Sequence, residues 1–193
     1  MRHVERLRAR RLRLEEAGEE GFTLIELLVV LLIIGILLAI AIPTFLSVTK
    51  TANNTAAQAN LQTALTGADT FYTNNNQTYV GLYGGSGVST ITAIDTGLTY
   101  YSGAASSKAN QISVNTGNNG GWVILTAWAP GTKDCWIVVD IKTAITSAVA
   151  GLPAADYATG TYYGVVKNVA NTTCTAATGL AGTGYQTTGF PSG

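Results

Sequence analysis

Histidine and arginine are absent from this 193-residue chain once its first thirteen residues are set aside. The one histidine is His3, and all six arginines lie between Arg2 and Arg13. Residues 22–193 can therefore build neither a Ser-His-Asp triad nor a histidine-bearing metal cluster. Phosphate binding needs clustered lysine or arginine, and these residues carry five lysines against six acids. We expect no enzymatic activity, no cofactor, no metal and no direct nucleic-acid partner.

Charge is also scarce within one long stretch near the start of the chain. Between residues 22 and 48 the one charged side chain is Glu26, and residues 27–42 are apolar apart from Gly35. A helix that spans a membrane needs roughly 20 predominantly apolar residues, so this run is long enough. Arginines precede it, and Lys50 alone follows closely. The positive-inside rule then predicts a cytoplasmic N-terminus and an exported C-terminal domain.

Two other kinds of N-terminal segment fit the apolar run but not its carboxylate. A secretory signal peptide would be cut near Ala39-Ile40-Ala41, and a signal anchor would hold a monomeric surface-binding domain. Neither gives a reason for Glu26. A charge at the centre of a spanning helix costs about 2.5–3.5 kcal/mol, and an intramembrane carboxylate needs a partner. Cleavage after Gly21 would create a cationic amine on Phe22, which could meet the Glu26 of a neighbouring identical helix.

The residues around this glutamate carry a family resemblance. The segment 21–30, Gly-Phe-Thr-Leu-Ile-Glu-Leu-Leu-Val-Val, resembles the processing site and helix start of type IV pilins and type II secretion pseudopilins. The resemblance implies that a prepilin peptidase cuts after Gly21 and methylates Phe22, and that Glu26 serves methylation or assembly. The arginine-rich leader and its Glu-Glu-Gly junction further resemble prepilins of Gram-positive bacteria. Many family leaders have a basic residue beside the glycine, where this chain has Glu20.

Two helix-loosening residues lie further along the same run. Gly35 and Pro43 fall where many pilins carry such residues. A proline inside a helix removes one hydrogen bond and crowds the preceding turn, so we expect a kink at Pro43. Glycine is a poor helix former that also permits close approach of another helix. The alternative for Gly35 is an ordinary small residue, since glycine is common in membrane helices.

The remaining sequence predicts an α+β fold, in which a long N-terminal helix packs on a small antiparallel sheet. Apolar residues at spacings of three and four extend the helix to residue 72, about 75 Å from residue 22. We predict a cleaved leader over 1–21, a transmembrane or filament-core helix over 22–49 and an exported head over 50–193. Within the head we expect an amphipathic helix over 50–73, an irregular connection over 74–110, and a sheet with a C-terminal loop over 111–193. Valine-, isoleucine- and tryptophan-rich runs predict three or four strands at 111–116, 121–128, 135–141 and 161–167.

The two cysteines, Cys135 and Cys174, lie in the predicted exported region. An even pair there favours one disulfide, which would fasten the late loop to the sheet, and two buried thiols are the alternative. The tail after Thr175 lacks hydrophobic periodicity, and we expect it to be loose.

The resemblance implies a function in polymerisation rather than catalysis. Such a subunit self-associates into a helical filament, after handling by the peptidase and by an assembly platform and ATPase machinery. It passes from a single-pass membrane precursor to an extracellular pilus that supports adhesion, twitching motility or DNA uptake. The same motif also fits a pseudopilin or minor pilin of a type II secretion or competence system.

Overall fold

The computed structural model of the chain describes residues 21–83, 90–117, 119–145, 158–177 and 185–191. The chain divides into two compact units, Met1–Phe45 and Leu46–Gly193, and we refer to the second as the head. Residues 1–20 of the predicted leader lie outside the described residues.

Helix α1 runs from Leu24 to Asn74 without interruption and contains Pro43. The helix predicted over 22–72 is therefore confirmed, with each end displaced by two residues. In the head, α1 buries one stripe of mostly apolar residues at spacings of three and four, which places them on a single face. The buried members of α1 are Ala57, Leu61, Ala64, Leu65, Gly67, Ala68 and Phe71.

The head contains a five-stranded sheet whose strands lie in chain order. They are β1 Thr99–Ser102, β2 Gln111–Thr116, β3 Trp122–Ala129, β4 Asp134–Ile141 and β5 Gly160–Val166. Strands β2 to β5 pair antiparallel, and each lies within one residue of its predicted bounds. The predicted count of three or four was wrong, because β1 joins β2 in parallel register with Thr99 opposite Gln111. With four residues and only Tyr100 buried, β1 has no alternation to reveal it.

Alternate residues of each strand point to opposite sides of the sheet. Both of these faces are covered. One face packs against α1 through side chains such as Leu125, Trp136 and Val138. The other face forms a second cluster that includes Ile124, Val139 and Ala176. Every residue of β4 is buried, as expected for a strand with a strand on each side and a covered surface on each face.

The connection over 74–110 is more ordered than predicted. It contains β1 and a short helix, α2, over Ile91–Ile94. Its side chains Tyr79, Leu82 and Ile91 are fully buried in the core beside α1. These apolar residues are separated by irregular spacings, so periodicity could not identify them.

The end of the chain also packs on the sheet, against expectation. Among the described residues 185–191, Gln186 exchanges two backbone hydrogen bonds with Tyr163, at 2.8 and 2.9 Å. The ring of Phe190 lies edge-on to Trp136 and Tyr163, with centroids 5.6 and 5.0 Å apart. The predicted loose tail was therefore wrong for this part, and residues 178–184 and 192–193 lie outside the described residues.

The turn between β3 and β4 packs closely on α1. A Cβ atom added to Gly131 would lie 2.8 Å from the Cα atom of Lys50, so only glycine allows this approach. Next to it, Asn54 Oδ1 accepts hydrogen bonds from Thr132 Oγ1 at 2.6 Å and from Trp136 Nε1 at 3.2 Å. The start of the head helix is thereby fixed to one end of the sheet.

Candidate functional site

The predicted cleavage bond between Gly21 and Phe22 lies in a non-helical segment just before α1. Glu26 Oε2 accepts hydrogen bonds from the backbone nitrogen of Thr23 at 2.8 Å and from Thr23 Oγ1 at 2.9 Å. In return, the backbone nitrogen of Glu26 donates to Thr23 Oγ1 at 3.3 Å. This reciprocal arrangement is a capping box, in which two side chains satisfy backbone donors that a helix start leaves unpaired. Glu26 thus helps to fix where the helix begins.

Sequence reasoning missed this local role of Glu26, although its signal was present. A threonine followed three residues later by glutamate and an apolar run is the sequence signature of a capping box. The sequence interpretation gives Glu26 a partner only on a neighbouring copy. The single chain shows that the carboxylate also has a partner in Thr23. Its pairing with the amine of another copy stays a prediction.

The side chains that follow form a continuous exposed apolar surface. Phe22 is 89% exposed, and every residue from Leu24 to Phe45 is exposed. Within the described residues, α1 is the one helix long and apolar enough to cross a membrane. Contiguous apolar surfaces this large mark contacts with membranes or with other proteins. Lipid or other subunits must therefore cover this part of α1.

Gly35 and Pro43 both lie within this apolar part of α1. A Cβ atom at Gly35 would meet nothing within 4 Å, so nothing in the single chain requires glycine there. The helix continues through Pro43. A kink at Pro43 and a loosening at Gly35 remain predictions.

The predicted disulfide between Cys135 and Cys174 is present, with Cα atoms 5.5 Å apart. Both cysteines are fully buried. Cys135 belongs to β4, and Cys174 follows a 3₁₀ turn over Asn171–Thr173. The backbone nitrogen of Ser106 donates to the carbonyl oxygen of Cys174 at 2.9 Å, which adds a non-covalent attachment. The late loop is thereby fastened to the sheet, as expected.

Comparison with known proteins tests the resemblance at the N-terminus. The family described as "Prokaryotic N-terminal methylation motif" matches residues 17–42. A second match covers much more of the chain: the type IV wide pilus major component of Thermus thermophilus is 34% identical over 135 residues, 67% of this chain and 92% of that protein. The chain belongs to the type IV pilin family.

Another type IV pilin matches over a shorter length. The type IV major pilin protein of Myxococcus xanthus is 42% identical over 57 residues, which are 30% of this chain and 26% of that protein. No solved structure matches the chain. The long apolar helix packed on a mostly antiparallel sheet is the α+β, pilin-like fold that the sequence predicted.

The head of this type IV pilin also contains a charge cluster built around one buried aspartate. Asp140, 2% exposed, accepts hydrogen bonds from Tyr79 OH at 2.5 Å and from Thr161 Oγ1 at 2.9 Å. Lys142 Nζ lies 3.0 Å from Asp140 Oδ2 and 2.9 Å from Asp69 Oδ1. The cluster joins α1, the loop after it, β4 and β5. The charged groups and hydrogen-bond donors of the cluster pair with one another. We therefore interpret the cluster as a structural link between these four elements.

Across the residues that the structure describes, no three histidine, cysteine, aspartate or glutamate side chains come together in a way that could hold a metal ion.

The pKa values of two groups in the charge cluster, Tyr79 and Lys142, are both raised. Burial raises the pKa of Tyr79 far above its usual value, and the adjacent Asp140 and Asp69 raise it further. Partial burial lowers the pKa of Lys142, but hydrogen bonds and charges from Asp69 and Asp140 outweigh this and leave the pKa raised. Protons therefore stay bound to both groups in the folded head at a pH where the unfolded chain releases them.

This linkage predicts that the head loses stability in alkaline solution. Stability from both groups is complete below their unfolded pKa values, about 10 for tyrosine and 10.4 for lysine, and is lost as the pH rises towards the folded values. Above about pH 10, the free energy of unfolding should fall by up to about 1.4 kcal/mol per pH unit through Tyr79, and Lys142 should add to this fall. Denaturant titration in nonionic micelles measures this through tryptophan fluorescence, because all three tryptophans lie in the head.

A pair of tyrosine variants provides the control for this pH dependence. Tyr79→Phe should be less stable at neutral pH and should show a shallower alkaline decline. Tyr83→Phe should match the parent, because the Tyr83 side chain is 37% exposed and lies outside the cluster. An unchanged pH profile in Tyr79→Phe would contradict the assignment.

Proposed function

We propose that the chain is the precursor of a pilus subunit that is cut after Gly21, methylated on Phe22 and polymerised through α1. The observation that carries this proposal is the exposed apolar surface over residues 24–45, most of which lies within the match to the methylation motif over residues 17–42. The surface is far too apolar to remain in water, and identical helices offer it a covering of matching length. The non-helical backbone at residues 21–23 leaves the cleavage bond outside the helix.

Before assembly, we propose that the precursor spans the membrane once with its N-terminus in the cytoplasm. The arginines lie between residues 2 and 13, upstream of the apolar run, and loops rich in lysine and arginine stay cytoplasmic. In this arrangement residues 1–21 are the removed leader, 22–49 the membrane and filament-core helix, and 50–193 the exported head. Prepilin peptidase, an assembly platform and its ATPase machinery are the partners that this route requires.

During assembly, we propose that Glu26 of one subunit pairs with the amine of Phe22 on a neighbour. A carboxylate in an apolar helix bundle requires a counter-charge, and cleavage after Gly21 supplies the nearest cation. The capping box supports this role, because it holds Glu26 against Thr23, which is the second residue of the processed chain. The carboxylate is thus already oriented at the helix start where a neighbouring amine would approach.

Among filament proteins, we propose a major subunit rather than a pseudopilin or minor pilin. The two similar proteins are named as a major component and a major pilin. We further propose that the chain has no reaction of its own and that the filament serves adhesion, motility or DNA uptake. Abundance in sheared filaments tests the major role, because a minor component would be a trace constituent there.

Mass spectrometry of the mature N-terminus tests the processing step. We expect the chain to begin at Phe22 and to carry one methyl group on its amine, when it is expressed in a host with a prepilin peptidase. The same analysis of cells lacking the peptidase is the control and should show the intact leader. A mature chain beginning at Ile42 would instead indicate signal-peptide cleavage and would overturn the proposal.

A further inference from the structure

Four lysines of the head are exposed and have no ion pair with any described residue. They are Lys50, Lys108, Lys133 and Lys167, whereas Lys142 is shared by two aspartates. Unpaired lysines are ordinary on a protein surface when scattered. Three of the four, Lys50, Lys133 and Lys167, are gathered at one end of the head, as the backbone contacts between their elements show.

The contacts run from α1 through the β3–β4 turn to the end of β5. Gly131 of the turn packs directly on the backbone of Lys50. Lys133 lies two residues further on, and its carbonyl oxygen accepts a hydrogen bond from the nitrogen of Val169 at 2.8 Å. Lys167 stands two residues before Val169, immediately after β5. We call Lys50, Lys133 and Lys167 the basic end.

The one described carboxylate near the basic end, that of Asp134, does little to offset the positive charge of the three lysines at the surface. Asp134 is 6% exposed, and its oxygens accept hydrogen bonds from the nitrogen of Asn168 at 3.2 Å and from Asn54 Nδ2 at 3.4 Å. The other described acids of the head lie towards the opposite end of its helix. Asp69 is 19 residues along α1 from Lys50, about 28 Å at 1.5 Å per residue. Asp95 lies beside Gly67.

We infer that the basic end binds the anionic phospholipid headgroups of the membrane that holds the precursor. Lys50 is the first charged residue after the apolar run over 22–48. When that run occupies a bilayer, Lys50 is therefore held at the headgroup level, and the contacts above bring Lys133 and Lys167 to the same end. Each lysine near an anionic surface favours the bound state by about fivefold. The inference rests on the proposed membrane insertion.

A second copy of the chain is a poorer occupant of the basic end. Such a partner would have to present free carboxylates, and the described acids of the head are already engaged. Asp69 and Asp140 share Lys142. Asp95 accepts hydrogen bonds from the nitrogen of Gly97 at 2.8 Å and from Tyr100 OH at 2.7 Å. Binding of phospholipid headgroups would not require any of these aspartates to give up its present partner.

Hydrogen exchange of the full chain in lipid nanodiscs tests this surface. One set of discs contains phosphatidylcholine alone, and the other also contains phosphatidylglycerol. We expect the amides of residues 131–133 in the β3–β4 turn to exchange at least tenfold more slowly on the anionic discs at low salt. High salt should remove the difference, because screening weakens exposed charge interactions. Equal exchange on both kinds of disc would overturn the inference.

Charge-neutral variants identify which lysines are responsible. The triple variant Lys50→Gln, Lys133→Gln, Lys167→Gln should lose the difference between the discs. Lys108→Gln is the matched control and should keep it, because Lys108 is equally exposed but adjoins Ala109. The carbonyl oxygen of Ala109 binds Asn60 Nδ2, ten residues further along α1 than Lys50. Protection retained in the triple variant would refute the assignment.

Two further measurements distinguish a failure of the lipid assignment from a failure of the proposed membrane insertion. If slower exchange required more than one chain per disc, the partner would be a second copy and the lipid assignment would be wrong. Incorporation of the chain into discs of either composition reports the apolar helix alone. Failure to incorporate would therefore refute membrane insertion, whereas normal incorporation without turn protection would refute only the basic end. Unchanged exchange in β4 would show that each variant is folded.

Discussion

Glu26→Gln is expected to abolish detectable filaments while processed subunits accumulate in the membrane. Glutamine retains the shape of the side chain and its capacity to accept hydrogen bonds from Thr23, so the capping box persists. What it removes is the negative charge that we propose to pair with a neighbour's amine. Breaking a buried charge pair by removing one partner costs about 2–5 kcal/mol. At each added subunit this raises the concentration needed for growth by about thirtyfold or more.

The matched variant Thr23→Val separates the charge from the cap. Valine removes the hydroxyl that bonds with Glu26 but keeps the carboxylate and nearly the same volume. Loss of a helix cap costs about 1 kcal/mol, so filaments should be fewer but present. Immunoblots of sheared filaments and of membrane fractions measure both pools. Normal filament yield from Glu26→Gln would show that charge pairing does not organise assembly, and equal losses in both variants would assign the effect to the cap.

Replacing Cys135 and Cys174 by alanine is expected to cause the largest loss of head stability. The disulfide closes a segment with a sequence separation of 39 residues. In the chain-entropy description, a loop of this length is worth about 4 kcal/mol. The loss should be concentrated in the late loop and its attachment to the sheet. Denaturant unfolding of the full chain in nonionic micelles, followed by tryptophan fluorescence, measures the difference.

Reductant provides the control for the disulfide. When reductant is present throughout the unfolding transition, the parent protein should shift towards the midpoint of the double alanine variant. The variant itself should not respond, because it has no disulfide to reduce. Coincident unfolding curves for the oxidised parent and the variant would contradict a stabilising role. Filament yield from the variant would then show whether assembly also depends on this attachment.

The parts of this pilin that sequence predicted are those governed by neighbours along the chain. The apolar run over 22–48 can be recognised from the sequence because hydropathy is a sum over consecutive residues. The capping box is equally recognisable in the sequence, since Thr23 and Glu26 are three residues apart, although the sequence interpretation gives the glutamate only an intermolecular role. Strands β2 to β5 were located within one residue because β-branched and aromatic residues are concentrated there. The family resemblance at residues 21–30 is local in the same sense.

The contacts that tertiary structure added join residues far apart in the chain. β1 exists because Tyr100 and its neighbours lie beside β2, although four residues show no pattern of their own. Lys142 meets Asp69 across 73 positions of sequence, and the ring of Phe190 packs against Trp136. The basic end likewise appears only when α1, the β3–β4 turn and the end of β5 come together. Local propensity cannot specify these long-range contacts, because they depend on which distant surfaces bury one another when the chain folds.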